Sequence, residues 1–222
     1  MSSTSPFAAV VFDLDGTLTD TEHVWEQVRR RLAAEDGVDY PEDATPAMMG
    51  MSTAEWSAYM AETVGLKGTA EDAARRVVQG MVDHYGEGVT ILPGARKAVA
   101  RMAALGPVGI ASSSPLVLIE KAVEMLGITD LVRAHVSTEQ VERGKPAPDG
   151  YLRCAELLGA DPTECVAVED STNGAVSALD AGMATIVVPP AFHPPSADVL
   201  ARCTVIDSLD GLTVELLERM AG

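Results

Sequence analysis

The sequence predicts an α/β fold: a doubly wound parallel sheet with an all-helical module inserted after its first strand. Short β-branched runs alternate with segments of helical periodicity that end in glycine. The runs do not alternate polar with apolar residues, which is typical of strands covered by helices on both faces. The gap between the first two runs is also much longer than the later gaps, which indicates an insertion.

Six runs are predicted to form the strands. The first is AAVVF (8–12), which leads directly into two aspartates. The other five are PVGIA (107–111), AHVS (134–137), CVAVE (165–169), ATIVV (184–188) and CTVI (203–206). Helical segments such as PLVLIEKAVEMLG and PDGYLRCAELLG separate them, which predicts repeated βα units.

The spacing between the predicted strands indicates the insertion. The first two strand starts are 99 residues apart, whereas the later starts are 19 to 31 apart. A βα unit needs at most about 30 residues, so about 70 residues remain for a second module. We expect a core domain at 1–19 and 91–222 and a helical cap domain at 20–90. The connections TDTE and GEGVTILPG (86–94) suit the hinges of a lid.

Composition excludes several classes of protein. The chain has 222 residues, is 47% hydrophobic and carries a formal charge of −17. With so few cations, nucleic acid is excluded as a partner, because phosphate-backbone binding depends on clustered Lys and Arg. We see no signal peptide and no apolar run of about 20 residues, and expect a cytoplasmic monomer that does not bind membranes. Cys154, Cys165 and Cys203 are interpreted as reduced thiols without a chemical role.

Polar residues mark the carboxyl ends of the predicted strands, where open parallel sheets bind ligands. Four strand ends would bring acids, hydroxyls and one ammonium group to the same rim. These residues are Asp13 and Asp15, then Ser112, Ser113 and Ser114, then Lys145, and finally Glu169 and Asp170.

Several of these residues also have an ordinary structural interpretation. Ser114 precedes a proline, as a helix N-cap does, and capping is sufficient to account for it. Glu169 and Asp170 precede a helix, where its dipole favours acids. Lys145 alone would be a solvated lysine, but the two prolines of GKPAP stiffen its backbone beside the rim.

The two aspartates at the first strand are harder to explain by structure alone. Carboxylates this close repel each other, so they require a cation, a proton or a reaction. Magnesium takes one or two carboxylates plus substrate oxygens, and Asp13, Asp170 and Glu169 would supply them. Asp13 would attack phosphorus, and Asp15 would act as general acid and then as general base.

The substrate phosphate would need donors of its own in this anionic protein. Lys145 and the hydroxyl of Ser112 would bind the transferred phosphoryl oxygens, together with the amide of Ser113. The predicted partner is therefore a small-molecule phosphate ester, with Mg as the cofactor that offsets the negative field.

Four motifs together resemble the haloacid dehalogenase superfamily of phosphohydrolases. They are DLDGT (13–17), the strand-end Ser112, Lys145 in GKPAPDGY, and EDSTNGA (169–175). The resemblance implies a Rossmann-like core with a cap after the first strand, which agrees with the spacing. It also implies Asp13 as nucleophile, Asp15 as acid/base, and a magnesium site that includes the Asp15 carbonyl with Glu169 and Asp170.

The resemblance is to the branch of sugar-phosphate phosphatases and β-phosphoglucomutases, and it leaves alternatives. Dehalogenases of this superfamily need neither the second aspartate nor a metal. The mutases carry a histidine ten residues after the second aspartate, where this chain has Trp25 and the nearest histidine is His23. These departures favour a phosphatase, with a mutase, a dehalogenase and a non-catalytic binding module as alternatives.

The cap is expected to select the substrate. Glu22 is the first choice because it lies closest to the catalytic loop, and each of the other candidates has an equal claim to be bundle core or surface. The candidates are Glu22, His23, Trp25 and Trp56, together with Met51, Arg75 and Arg76.

Overall fold

The computed structural model describes residues 6–48, 51–191 and 194–221, and its sheet has six parallel strands. Their bounds are β1 Ala9–Phe12, β2 Val108–Ser112, β3 Val132–Ser137, β4 Cys165–Glu169, β5 Ala184–Val187 and β6 Thr204–Val205. The spatial order is β3-β2-β1-β4-β5-β6. Each predicted strand is present, with bounds within two residues of the expected ones.

Strand β1 lies in the middle of the sheet and is buried along its whole length. Its Val10 pairs with Val108 of β2 on one side and with Val166 of β4 on the other. The chain therefore adds β2 and β3 on one side of β1 and then β4, β5 and β6 on the other side. The strand order reverses at β1. A crevice opens at such a point beyond the carboxyl ends of the strands.

In its described residues, the insertion between β1 and β2 consists of helices joined by short loops. It contains α1 Glu22–Asp36, α2 Ala44–Met48, α3 Thr53–Tyr59 with a π-helical turn at Met60–Val64, and α4 Ala70–Glu87. Capping boxes begin α3, through Ser52 and Glu55, and α4, through Thr69 and Asp72. Each box pairs two backbone N–H groups that the helix leaves unsatisfied, which fixes where the helix starts.

The two connections between the insertion and the sheet run side by side. The Asp20 amide donates to the Thr90 carbonyl at 2.8 Å, and the Leu92 amide donates to the Leu18 carbonyl at 3.0 Å. Both crossings of the chain therefore lie next to each other. This is the arrangement expected of paired hinges.

The remaining helices cover the two faces of the sheet. They are α5 Ala95–Ala103, α6 Leu116–Leu126, α7 Asp149–Leu158, α8 Thr172–Asp180, α9 Ala197–Leu200 and α10 Val214–Ala221. Side chains of β1 alternate between the faces: Val10 and Phe12 pack in one apolar cluster, and Ala9 and Val11 in the other. Among the described helices, none combines the length and the apolar character that crossing a membrane requires.

Candidate active site

The strand ends converge at the crevice, as their positions in the sheet require. Asp13 directly follows β1, and its amide donates to the carbonyl of Val168 in β4 at 2.9 Å. Ser112 is the last residue of β2, and Glu169 is the last residue of β4. Lys145 comes from the loop between β3 and α7. A cleft that is open to solvent is lined by both the sheet end and the insertion.

A buried ion cluster lies at the floor of this cleft. The ammonium of Lys145 donates to Asp13 Oδ1 at 2.5 Å and to Glu169 Oε1 at 2.6 Å. The hydroxyl of Tyr151, on α7, donates to the same Glu169 oxygen at 2.7 Å. The Nζ of Lys145 also lies 5.1 Å from the centroid of the Tyr151 ring, so Tyr151 contacts both Lys145 and Glu169.

The carboxylates in this cluster outnumber the cations. Ligand oxygens of Asp13, Glu169 and Asp170 lie within 4.8 Å of one another, and all three residues are buried. One ammonium against three carboxylates leaves two formal negative charges when all are ionised. Buried oxygen donors with uncompensated charge fit a hard divalent cation such as Mg²⁺. The side chain of Asp15 is outside this group, so only its backbone carbonyl is left for the metal contact that the resemblance implies.

Gly16 keeps the first loop close to the acidic cluster. Its φ is +85°, a left-handed conformation that glycine adopts at little cost. A Cβ at this position would collide with the carboxylate of Asp170. The hydroxyl of Thr17 meanwhile donates to Asp170 Oδ1 at 3.2 Å and so orients it. The glycine and threonine of DLDGT thus place the first loop against the end of β4.

Burial and crowding shift the protonation of these groups. Burial raises the pKa of Asp13 to about 8, with Lys145 opposing the shift and Glu169 adding to it. Burial and the neighbouring Glu169 and Asp13 likewise raise the pKa of Asp170 well above its usual range. For Lys145, burial lowers the pKa, but the two adjacent carboxylates outweigh it and the net pKa is raised. A divalent cation would favour the ionised carboxylates.

Asp15 is oriented away from the ion cluster, toward hydroxyl groups. Its Oδ1 accepts from Thr21 Oγ1 at 2.5 Å, and its Oδ2 accepts from Ser114 Oγ at 2.6 Å and from Ser112 Oγ at 3.4 Å. The indole N–H of Trp25 lies 3.5 Å from Oδ1. The two aspartates of DLD therefore have different surroundings, one ionic and one hydroxylic. That difference allows them to perform different tasks.

The interpretation of Ser114 as a helix cap was wrong. Helix α6 begins at Leu116, its N-cap is Pro115, and no side chain caps it. The Ser114 hydroxyl instead donates to Asp15, while its amide donates to Ser112 Oγ at 3.0 Å. The prediction of a helix cap failed because α6 starts one residue later than a cap at Ser114 requires, and the Ser114 hydroxyl lies against Asp15 instead.

The cap candidates fall into two groups. Glu22, Trp25 and Trp56 line the cleft, as does Met51. His23 does not, because its side chain is 52% exposed and lies 3.5 Å from Asp20 Oδ1. Arg75 and Arg76 also lie elsewhere, where they form ion pairs with Asp72 and Asp36 respectively. Exposed arginines on a helix readily pair with nearby acids of the same module, which removes them from the rim.

Sequence reasoning assigned no role to Thr17, Thr21, Arg29 or Tyr151, which the structure brings to the site. Tyr151 is completely buried, and a buried tyrosine usually has a partner for its hydroxyl, which is a usable signal. Thr17 and Thr21 flank the acidic pair within eight residues and were readable as its donors. Arg29 carried no signal, since one arginine in the run RRR is indistinguishable from its neighbours.

Comparison with known proteins places this geometry in a family. Residues 7–182 match the family described as haloacid dehalogenase-like hydrolase. Hexitol phosphatase B of Escherichia coli (strain K12) is 35% identical over 192 residues, which cover 85% of this chain and 86% of that protein. The phosphorylated carbohydrates phosphatase of Thermotoga maritima is 32% identical over 182 residues, covering 80% and 83%.

A solved structure has the same fold over nearly the whole chain. The β-phosphoglucomutase of Clostridium difficile superposes with a TM-score of 0.82 and 24% identity, covering 97% of both chains. The predicted core fold and the predicted family are therefore confirmed. On the strength of the family match, the chain belongs to the haloacid dehalogenase-like hydrolases.

Proposed function

We propose that this chain is a magnesium-dependent phosphatase of small phosphorylated metabolites, in particular sugar phosphates, that works through an aspartyl phosphate on Asp13. The observation that carries the proposal is the division of the DLD pair: Asp13 is bound by Lys145 in the acidic cluster, and Asp15 is bound by hydroxyls across the cleft. The prediction of a phosphoric monoester hydrolase is supported by the relatives, which are named phosphatases of hexitols and carbohydrates.

In the first step, a carboxylate oxygen of Asp13 forms a bond to phosphorus as the bond to the ester oxygen breaks. Lys145 binds Oδ1 of Asp13, so Oδ2 is the oxygen available for attack. The leaving alkoxide takes a proton from Asp15. Asp15 reaches the ester oxygen by leaving its hydroxyl partners, Thr21 and Ser114.

In the second step, the ionised Asp15 removes a proton from water, and the resulting hydroxide attacks the aspartyl phosphate. The bond between phosphorus and the Asp13 oxygen breaks, which releases phosphate and regenerates the carboxylate. Lys145, the Ser112 hydroxyl and the Ser113 amide would bind the phosphoryl oxygens through both steps.

The metal would be held by Asp13, Asp170 and Glu169, with the carbonyl of Asp15. Bound there, Mg²⁺ supplies positive charge to the phosphoryl oxygens and favours the ionised form of Asp13. Glu169 also has a structural task, since its Oε2 accepts from the amides of Asp170 at 3.1 Å and Ser171 at 3.4 Å. These bonds fix the turn that carries Asp170.

A β-phosphoglucomutase is the second candidate, favoured by the structural likeness to such an enzyme. Against it, Trp25 occupies the position of the mutase histidine, and an indole donates one hydrogen bond but does not shuttle protons. The dehalogenase alternative leaves Asp15 and the acidic cluster unused. A non-catalytic binding module would not need the buried ion pairs of Lys145 with Asp13 and Glu169. Each is therefore less favoured than a phosphatase.

The decisive experiment is hydrolysis of p-nitrophenyl phosphate and of hexitol and hexose phosphates by wild type and by Asp13→Asn, with magnesium and with EDTA. We expect Asp13→Asn or EDTA to abolish phosphate release. Asp20→Asn, which changes an exposed acid on the same loop, is the matched control and should retain activity. Undiminished turnover by Asp13→Asn would reject the proposal. Isomerisation of β-glucose 1-phosphate without net phosphate release would favour the mutase.

The exact substrate, the cytoplasmic location, the monomeric state and the domain division at residues 20–90 stay predictions. Hydrolysis rates across a panel of phosphorylated metabolites would identify the substrate, because relative kcat/KM reports transition-state binding.

A further inference from the structure

Arg29 is a buried cation in the wall of the cleft. It lies on α1, one helical turn after Trp25, and only 7% of its surface is exposed. Among the described residues that line the cleft, two carry a positive charge: Lys145 at the floor and Arg29 in the wall. The positive charge of Lys145 is already compensated by the carboxylates of Asp13 and Glu169.

Arg29 has no such compensation within the described part of the chain. None of the ion pairs found there includes it, and its Nε is a buried donor without a hydrogen-bond partner. The guanidinium is hydrogen-bonded to the phenol of Tyr40, but a neutral hydroxyl does not balance its charge. Burial lowers the pKa of Arg29 to about 10, an effect that Tyr40 partly offsets, so the side chain remains cationic at neutral pH.

Two tryptophans orient this guanidinium. Its Cζ lies 5.2 Å from the ring centroids of both Trp25 and Trp56, and the two rings pack edge to face at 5.9 Å. Aromatic rings cover the faces of a guanidinium and leave the N–H groups in its plane available. Such an edge binds carboxylate or phosphate oxygens in a bidentate manner.

The position of Arg29 relative to the reaction follows from Trp25. The indole N–H of Trp25 approaches Asp15 Oδ1, while its ring contacts Arg29. One indole therefore separates the acid that serves the leaving group from the cation. The part of the substrate beyond the scissile bond is the part that would reach Arg29.

We propose that Arg29, between Trp25 and Trp56, forms a second anion subsite, and that the preferred substrates are phosphate monoesters whose leaving group carries a further acidic group. This inference rests on the proposed phosphatase function and specifies its substrate class. A carboxylate and a second phosphate share the required chemistry. An anion at this position would pair a charge that the described residues leave uncompensated.

The test compares substrates that differ only at the far end. The carboxylate pair is 6-phosphogluconate against sorbitol 6-phosphate, and the phosphate pair is sorbitol 1,6-bisphosphate against sorbitol 6-phosphate. We expect wild type to prefer the doubly acidic member of at least one pair by about 10-fold or more in kcat/KM, mainly through KM. The pair that shows the preference identifies which acidic group is recognised.

Arg29→Gln should remove that preference, so that the two members of a pair are hydrolysed with the same kcat/KM. Arg29→Lys should retain part of the preference because it keeps the charge. Arg31→Gln, on the exposed side of α1, is the control and should change nothing.

Three outcomes would overturn the subsite: no preference in either pair for wild type, a preference that survives Arg29→Gln, or an equal loss on all substrates by that variant. The first needs only wild type, so the proposal stays testable even if Arg29→Gln does not fold. Loss of all phosphatase activity in Asp13→Asn is a separate measurement, so failure of the subsite and failure of the proposed function are distinguishable.

Discussion

The ammonium of Lys145 lies 2.5 Å from Asp13 Oδ1, and both side chains are less than 10% exposed. An ion pair at this depth is poorly screened by solvent, so each charge depends on the other. Glu169 accepts from the same ammonium, which ties the end of β4 to the end of β1. Lys145 thus contributes both to the integrity of the acidic cluster and to the chemistry of Asp13.

Replacing Lys145 with methionine should therefore impair both stability and activity. Without the ammonium, the buried carboxylates of Asp13 and Glu169 lose the cation that balances their charge, at a cost of about 3–5 kcal/mol in the free energy of unfolding. We expect kcat for p-nitrophenyl phosphate to fall by about 100-fold or more. Urea titration and steady-state kinetics measure the two effects. Lys97→Met, at an exposed site, is the control; wild-type turnover by Lys145→Met would contradict the assignment.

Tyr151→Phe tests whether the tyrosine positions Glu169 for the metal. The substitution removes the hydroxyl that donates to Glu169 Oε1 and keeps the ring beside Lys145. Groups that orient metal ligands typically affect metal affinity by about 10- to 100-fold. We expect the magnesium concentration for half-maximal activity to rise about 10-fold, with a smaller change in kcat at saturating magnesium. An unchanged magnesium requirement would assign Tyr151 to packing alone; Tyr59→Phe serves as the control.

The contrast between Ser112 and Ser114 explains how far the sequence could predict this site. Ser112, Lys145 and Asp170 were predictable because strand ends of a parallel sheet meet at one edge, which topology alone dictates. The partner of Ser114 was not predictable, because the neighbouring sequence indicates a helix start, whereas the actual partner is Asp15, 99 residues earlier in the chain. Arg29 depends in the same way on tertiary contacts, since Trp56 reaches it from a different helix.

The helical insertion should lose stability in acid through Asp36. This residue ends α1, accepts from the amide of Lys67 at 2.8 Å and pairs with Arg76 of α4 at 2.7 Å. Hydrogen bonds from Arg76 and Lys67 lower the pKa of Asp36 from 3.8 to about 2. Because the folded pKa lies below the unfolded one, the stabilisation is present above pH 4 and is lost as the pH falls toward 2.

Asp36→Asn should consequently melt at a lower temperature than wild type at pH 6, and the difference should shrink at pH 3. Thermal denaturation followed by circular dichroism at both values measures this. Asp39→Asn, at an exposed site in the next loop, is the control. A difference in melting temperature that is the same at pH 6 and pH 3 would show that the carboxylate charge is not its source.

Asp15→Asn should separate the two chemical steps by the nature of the leaving group. p-Nitrophenolate is a stable anion at neutral pH and leaves without a proton, whereas a sugar alkoxide needs one from Asp15. Both substrates need Asp15 as the base in the second step. We therefore expect Asp15→Asn to lose about 100- to 10,000-fold in steady-state turnover of either substrate, yet to release a burst of p-nitrophenol of up to one equivalent per enzyme.

Rapid-mixing absorbance on p-nitrophenyl phosphate detects that burst, and acid quench of a sugar phosphate reaction should find no equivalent first turnover. Asp13→Asn, which lacks the nucleophile, should give no burst with either substrate and so controls for contaminating activity. If Asp15→Asn slows the first turnover of both substrates equally, Asp15 does not protonate the leaving group. The hydroxyl contacts from Thr21 and Ser114 would then have only a structural role.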